Sequence, residues 1–265
     1  MQSLLFISIT LKFNKMKEKI VLIDGDSLIY FEMGKPTLED AIDSLNGRLY
    51  EMIERCEATK YAGFLTIGRC FRYDQAKTRE YKGNRKKGSK PIIFYALKEY
   101  LKQEWKFEYI PELEADDLVA VYGEGLDGNT MICSPDKDVL YQVEGKHYNY
   151  RTADFVHTTP TEAELFLWKQ MLMGDPTDGI PGLPKVGLKT ADKLLNNIQL
   201  QEMPEFVLKK YIEIFGIHEG ISKFAETFRL VYILKTKEDV LRETGIELKD
   251  LVINDVKPLN ENQWL

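Results

Sequence analysis

Cysteine and histidine are both scarce: the 265 residues contain three of each. Cys56, Cys70 and Cys133 stand far apart. So sparse and odd a set makes neither a disulfide framework nor a zinc cluster. His147, His157 and His218 show no HExxH or similar spacing, so a zinc hydrolase and a histidine-based triad both lack parts. Long apolar runs are missing as well. None approaches the roughly 18–20 residues that a membrane span requires. The apolar start, MQSLLFISITLKF, is too short to span. It also lacks a basic leader and a small-residue cleavage site, which argues against a secretory signal. A working start near Met16 is the plainer expectation, with residues 1–18 an extension of no assigned role. Finally, there is no excess of positive charge. Thirty-six basic residues against 42 acidic ones leave a net charge of −6, which excludes a uniformly basic nucleic-acid binder but not a local patch.

What remains is ordinary globular material, 44% hydrophobic and 29% charged, of a length for one large domain or two small ones. A reducing, cytoplasmic setting is expected. Apolar runs at Lys19–Ile23, Tyr61–Ile67, Lys106–Ile110 and Thr130–Cys133 read as strands. Helical patterns lie between them. Leu38–Cys56 places Ile42, Leu45, Leu49, Met52 and Ile53 on one face. Pro91–Gln103 and Glu114–Tyr122 are the others. This alternation predicts an α/β core, 19–158, with a mostly parallel sheet. From about Thr159 the pattern turns helical, over Thr161–Met173, Lys189–Asn197, Pro204–Phe215 and Ile221–Leu234. The expectation is an all-helical part spanning 159–265.

Acidic residues follow the apolar strands with some regularity. VLIDGD carries Asp24 and Asp26; IPELEADDL carries Glu114, Asp116 and Asp117; ICSPDKDVL carries Asp136 and Asp138; GDPTDGI carries Asp175 and Asp178. Ligands of open α/β sheets bind outside the carboxyl ends of the strands, so these groups are placed to converge. Converging carboxylates repel one another and must be neutralised by protons or cations. An all-oxygen donor set suits hard ions such as Mg²⁺ or Mn²⁺. Two such ions about 4 Å apart are a standard device for in-line phosphodiester cleavage. Any one of these motifs alone reads equally well as a helix cap. Their joint recurrence favours a metal cluster.

Between Arg69 and Lys90 nine basic residues face two acids. Arg72, Lys77, Arg79, Lys82, Arg85, Lys86 and Lys87 are interleaved with Phe71, Tyr73 and Tyr81. Cations neutralise phosphates and aromatic faces stack bases, so the mixture suits nucleic acid. Further on, GIPGLPKVGLKTADKLL places Gly182 and Gly187 at tight turns, with Lys185 and Lys189 beside a helix start. Exposed amides there bind phosphate oxygens. The arrangement is that of a helix-hairpin-helix, at about 175–197.

Together, VLIDGD, FR…EYKGNR, ELEADDLVA, SPDKD and GDPTDGIPGLPKVGLKTADKLL, in that order, resemble the 5′-nuclease superfamily of flap endonucleases and polymerase-associated 5′→3′ exonucleases. The likeness runs from about Lys19 to Leu195. It implies a PIN-like sheet core, a helical arch at about 69–90 and a duplex-gripping helix-hairpin-helix. Asp24 would then match the first metal-binding aspartate and Glu114, Asp116 and Asp117 the central acidic motif of metal ligands, with Asp116 and Asp136 bridging or near-bridging. Asp138, Asp175 and Asp178 would form the second group. Lys82 and Arg85 would contact the scissile phosphate, with Tyr81 facing the same opening. The implied cofactors are two Mg²⁺ or Mn²⁺ ions, with a K⁺ ion at the hairpin. The implied partners are DNA with a 5′ single-strand/duplex junction and a replicative polymerase. The chain would act as a monomer in a bacterial or phage-infected cell.

Two departures stand out. The family usually carries another aspartate before the FR pair, where this chain reads LTIGRCFR. Lys185 also stands where a glycine is frequent. Rival readings are a haloacid-dehalogenase-type phosphatase, from DGDSL and GDPTD, and a DNA-junction binder without chemistry. The first leaves EADD, YKGNR and the hairpin without a role.

Overall fold

The Lys19–Ile23 run becomes the central strand β1, Ile20–Asp24, because alternation gives it two apolar faces. The structure, a computed structural model, describes residues 18–85, 88–124 and 128–256. Helices α1 (Asp26–Glu32) and α2 (Leu38–Arg55) lead to β2 (Lys60–Phe64). Then come α3 (Arg72–Gln75), α4 (Ile92–Gln103), α5 (Ala115–Glu124) and β3 (Thr130–Cys133). A short α6 (Lys137–Gln142) precedes the hairpin of β4 (Gly145–Asn149) and β5 (Asp154–Thr158). The remainder is α7 (Pro160–Met173), β6 (Gly174–Asp175), β7 (Ile180–Pro181), α8 (Leu188–Leu195), α9 (Met203–Phe215), α10 (Ile217–Val231), α11 (Lys237–Thr244) and β8 (Asn254–Asp255).

The main sheet has six strands in the order β5-β4-β3-β1-β2-β8. Its four inner strands run parallel, and both edges are antiparallel. Val21 and Ile23 face a core built with Leu45, Leu49 and Met52 of α2 and Leu97 and Leu101 of α4. Leu22 points to the opposite face, against Leu118 and Val119 of α5. Each such fully buried aliphatic side chain contributes roughly 1.5–3 kcal/mol. A third cluster binds α7, α8, α9 and α10 together through Trp168, Met171, Leu195, Val207 and Tyr211. A capping box of Thr159 and Glu162 starts α7 where the helical pattern begins. Among the described residues no helix is long and apolar enough to cross a membrane.

Three expectations need correction. Lys106–Ile110 is not a strand of the sheet; it touches β2 through an isolated bridge between Phe64 and Glu108. Positive φ angles at Lys106 (54°) and Glu112 (69°) turn its backbone out of a continuous ladder. The C-terminal part is not all-helical, since β8 returns to pair with β2 and β6 pairs with β7. Nor do the described residues of the basic segment form a helical arch. Among its described residues α3 is the one helix, and Ala76–Lys82 is non-helical and anchored from outside. Glu226 of α10 accepts from the backbone amides of Lys77 and Thr78, 2.6 Å each, and from the Thr78 hydroxyl.

Candidate active site

The carboxyl ends of β1 and β3, the turn after β2 and the first turn of α5 meet at a cavity of about 390 Å³. Asp24, Asp26, Glu114, Asp116, Asp136, Asp138 and Asp178 line it, together with Lys82 and Arg85. Asp175 joins from a narrow hollow that it shares with Asp116, Asp138 and Asp178. Acids up to 154 residues apart in the chain (Asp24 to Asp178) thus gather at one end of the sheet. A larger cavity, about 820 Å³, opens at the amino ends of β3 and β4. It is lined by Ile132, Val143, Leu167 and Trp168, and by none of the clustered aspartates.

Hydrogen bonds fix most of the carboxylates. Asp24 closes β1, where its Oδ1 accepts from the Asp26 amide (3.1 Å) and its Oδ2 from the Ser134 hydroxyl (2.9 Å). Ser134 Oγ in turn accepts from the Asp136 amide (3.1 Å). Asp136 caps α6, accepting from the Asp138 amide at 2.8 Å. Here the cap and the cluster member are the same residue. Tyr150 donates to the Asp24 carbonyl (2.7 Å), tying β1 to the β4–β5 turn. Asp26 accepts from the Thr66 amide at the end of β2 (3.0 Å).

The electrostatics divide the acids in two. Burial and repulsion from Asp26 push Asp24 up to about 7. Burial, then Asp24 and Asp136, drive Asp116 well above the carboxylate range. Asp136 is raised by burial, and Asp138 reaches about 7 through burial and the Asp136 charge. Glu114 goes the other way. Burial alone would raise it, but Lys82 and Arg72 outweigh that and hold it at about 2. Arg85 pairs with Asp178, while Lys137 joins Asp138 to Asp175.

Several site assignments change on this geometry. Arg72 is not a DNA contact: it is buried, and its guanidinium forks onto Asp117 at 2.7 Å twice. Asp117, expected among the metal ligands, lines neither the cavity nor the hollow and is turned onto Arg72 instead. It is fully buried, and its oxygens also accept from the Leu234 and Glu114 amides. Tyr81 lines the narrow hollow beside the acids, with its ring buried and its hydroxyl donating to Glu114 (2.9 Å) and Asp178 (3.1 Å). Lys82 and Arg85 reach the cavity as ion-pair partners of Glu114 and Asp178. Lys77 and Arg79 are exposed, and Lys86 and Lys87 lie outside the described residues. In the hairpin, Lys185, Gly187 and Lys189 are exposed and Gly182 is half-buried.

Sequence reasoning left Asp26 out of both metal groups and passed over Ser134, Lys137 and Asn84. Asn84 Nδ2 donates to the carbonyls of Pro176 (2.7 Å) and Thr177 (3.2 Å). With the bond from the Lys82 amide to the Asp178 carbonyl (2.7 Å), it docks YKGNR onto the GDPTD loop. The signal was present: Ser134 and Lys137 sit inside SPDKD and Asn84 inside YKGNR, motifs already singled out.

Do these residues fit divalent ions? Among the described residues no three His, Cys, Asp or Glu side chains close on one point as a ready cage. Instead most of the carboxylates turn toward neutral protein donors or toward Lys and Arg. The donor set is all oxygen, and the Asp116 carboxylate makes no hydrogen bond or ion pair among the described residues while Asp24 and Asp136 repel its charge. An open acidic cavity that needs positive charge fits a hydrated hard ion, which keeps several of its own waters.

No family model matches the chain. A 5′-3′ exonuclease of Buchnera aphidicola (subspecies Acyrthosiphon pisum) is 30% identical over 226 residues, covering 77% of this chain and 74% of that one. The chain belongs to the 5′-nuclease superfamily. DNA polymerase I of Bacillus subtilis is 27% identical over 242 residues, 79% of this chain. The chain spans only 27% of that polymerase's length. The T5 D15 protein, co-crystallised with metal ions, shares the fold with a TM-score of 0.61. That match is 19% identical and covers 85% of this chain and 97% of the other.

For this superfamily member the acid cluster sets an unusual pH dependence. Asp24 and Asp138 titrate near 7 when folded, against about 3.9 when unfolded. Between those values the native state holds more protons than the unfolded chain, so stability falls as pH rises through the window. Glu114, at about 2, has the opposite sign: its contribution is present above its unfolded value and lost as pH falls toward 2. His147, lowered by burial, favours the native state as pH rises to its unfolded value, about 6.5. Above that value the acid cluster governs. The metal-free protein should therefore melt at a higher temperature at pH 6.5 than at pH 8. Thermal scans in chelator check this, and Mn²⁺ at pH 8 should reverse the loss.

Proposed function

We infer that the chain is a structure-specific 5′-nuclease, hydrolysing DNA phosphodiesters near a 5′ end or a single-strand/duplex junction. One observation carries this reading: acids from four separate motifs share a cavity with the two cations of YKGNR. Asp24, Asp116 and Asp136 would hold one Mg²⁺ or Mn²⁺, and Asp138 and Asp175 a second, with Asp178 and Glu114 beside them. When bound, such ions lower the pKa of water and stabilise charge on the leaving oxygen. The chain's own residues do the rest. Lys82 and Arg85 present positive charge at the cavity, where the phosphate gathers negative charge as the bond breaks. The exposed cations around them draw an anionic strand toward a site that would otherwise repel it. Tyr81 and Arg72 hold Glu114 in place. The α/β part would cut, the helical part would grip the duplex, and a polymerase would be the partner in replication or repair.

A labelled 5′-flap duplex, incubated with Mg²⁺, Mn²⁺ or chelator and resolved by product length, tests the proposal. Cutting near the junction with metal and none in chelator is the expected result. Release of phosphate from small esters without DNA would favour the phosphatase reading.

The hairpin region makes a separate prediction, because its two glycines differ. A Cβ on Gly182 would lie 2.1 Å from the Met173 carbonyl carbon and 2.3 Å from the Gly174 amide. One on Gly187 would meet nothing within 4 Å, at a φ of −112°. The fold thus needs the first glycine and leaves the second open toward solvent, at the uncapped start of α8. Lys185, at a φ of 63°, takes a conformation better suited to glycine, beside this same start. The helix-hairpin-helix reading, with its K⁺ ion on backbone oxygens, draws support from that openness. Gly182→Ala should cost roughly 1–3 kcal/mol by overpacking. Gly187→Ala should keep its stability and lose affinity for duplex DNA. Urea denaturation and filter binding of both variants separate the two effects.

A further inference from the structure

The two halves of the acid cluster are not neutralised alike. Lys137 Nζ lies 2.6 Å from Asp175 Oδ2 and 2.9 Å from Asp138 Oδ1. The remaining contacts of this pair are also protein donors. Asp175 Oδ1 accepts from the Thr177 amide at 2.8 Å, and Asp138 Oδ1 accepts from Gln170 Nε2 at 2.7 Å. Among the described residues, by contrast, no lysine or arginine pairs with Asp24, Asp116 or Asp136. The lysine stem enters from α6, one residue past the cap Asp136, and half of its side chain remains exposed. An ammonium on a flexible stem can therefore leave without disturbing the helix.

We propose that Lys137 is a built-in cation of the Asp138–Asp175 pair, so that a divalent ion binds there only by displacing it. This rests on the nuclease reading and refines it. The two metal positions become unequal: the Asp24–Asp116–Asp136 position fills first, and the Asp138–Asp175 position fills late and weakly.

Mn²⁺ titration of the metal-free protein, with free ion followed by electron paramagnetic resonance, tests this without reference to cleavage. The wild-type chain should show one tight and one weak class of site. Lys137→Met should tighten the weak class by about tenfold or more, the scale of removing a unit charge a few ångströms away in a partly hydrated site. The tight class should move much less, because Lys137 acts on Asp136 only at longer range and forms no ion pair with it. Lys137→Arg, which keeps the charge, should resemble wild type. Asp175→Asn should abolish the weak class in both backgrounds, which places it. Two equal classes in the wild type, or a weak class unmoved by Lys137→Met, would overturn the proposal while leaving the nuclease reading intact. Failure of every protein to take up Mn²⁺ would overturn both.

Discussion

Replacing Asp116 with Asn should reduce cleavage of a flap substrate by at least about a thousandfold, the scale of losing a group that acts at the transition state. The same change should make the metal-free protein harder to unfold. Both effects have one origin. Asp116 stands in the first turn of α5, lining the cavity shared with Asp24 and Asp136, and their charges and its burial oppose its ionisation. Asn keeps the shape and removes the repulsion. Stability should rise, and in a domain of this size about 1 kcal/mol corresponds to roughly 2–4 °C in Tm. DNA affinity should hold or increase, because an acid no longer repels the phosphates. Single-turnover cleavage, thermal melting in chelator and DNA binding report the three quantities separately. Undiminished cutting would refute the site; reduced cutting with a lower Tm would show that Asp116 supports the fold instead.

The sequence made the acid cluster legible because each acid follows an apolar strand or opens a helix. Chain order and the parallel rule then bring them to one end of the sheet. Asp24, Asp136 and Asp138 could be placed that way before any coordinates. Partners were harder to read. Arg72 and Lys82 belong to one basic run, yet the first is buried on Asp117 and the second lies on Glu114 at the cavity. Only tertiary packing distinguishes them. A continuous apolar run marked β1, but no such run marks β4 and β5. Those strands form an edge hairpin whose outer strand is largely exposed, so GKHYN and DFVHT carry no continuous apolar stripe. Helices α6 and α11 are too short to develop a helical period that stands out from their surroundings.

Arg72→Ala should be the most destabilising single change near the site, at about 3–5 kcal/mol, the usual cost of stripping one partner from a buried ion pair. The guanidinium gives two bonds to Asp117, one to Glu114 (3.0 Å) and one to the Tyr232 carbonyl (2.7 Å). It therefore clasps α3, α5 and the end of α10 at one point. Deleting it leaves Asp117 charged at 0% exposure with only backbone amides for company. Arg72→Lys should recover part of the loss, because an ammonium keeps the charge but cannot fork. Asp117→Asn in the Arg72→Ala background should recover part by another route, by removing the stranded charge. Urea unfolding of wild type, Arg72→Ala, Asp117→Asn and the double variant forms a cycle that measures the coupling. Additive losses would mean that the pair is not coupled. Function should follow stability here by a specific path. Without Arg72 one of the cations holding Glu114 near 2 is gone, so that carboxylate should gain a proton more readily. Cleavage at acid pH should then fall further than the loss of folded protein explains.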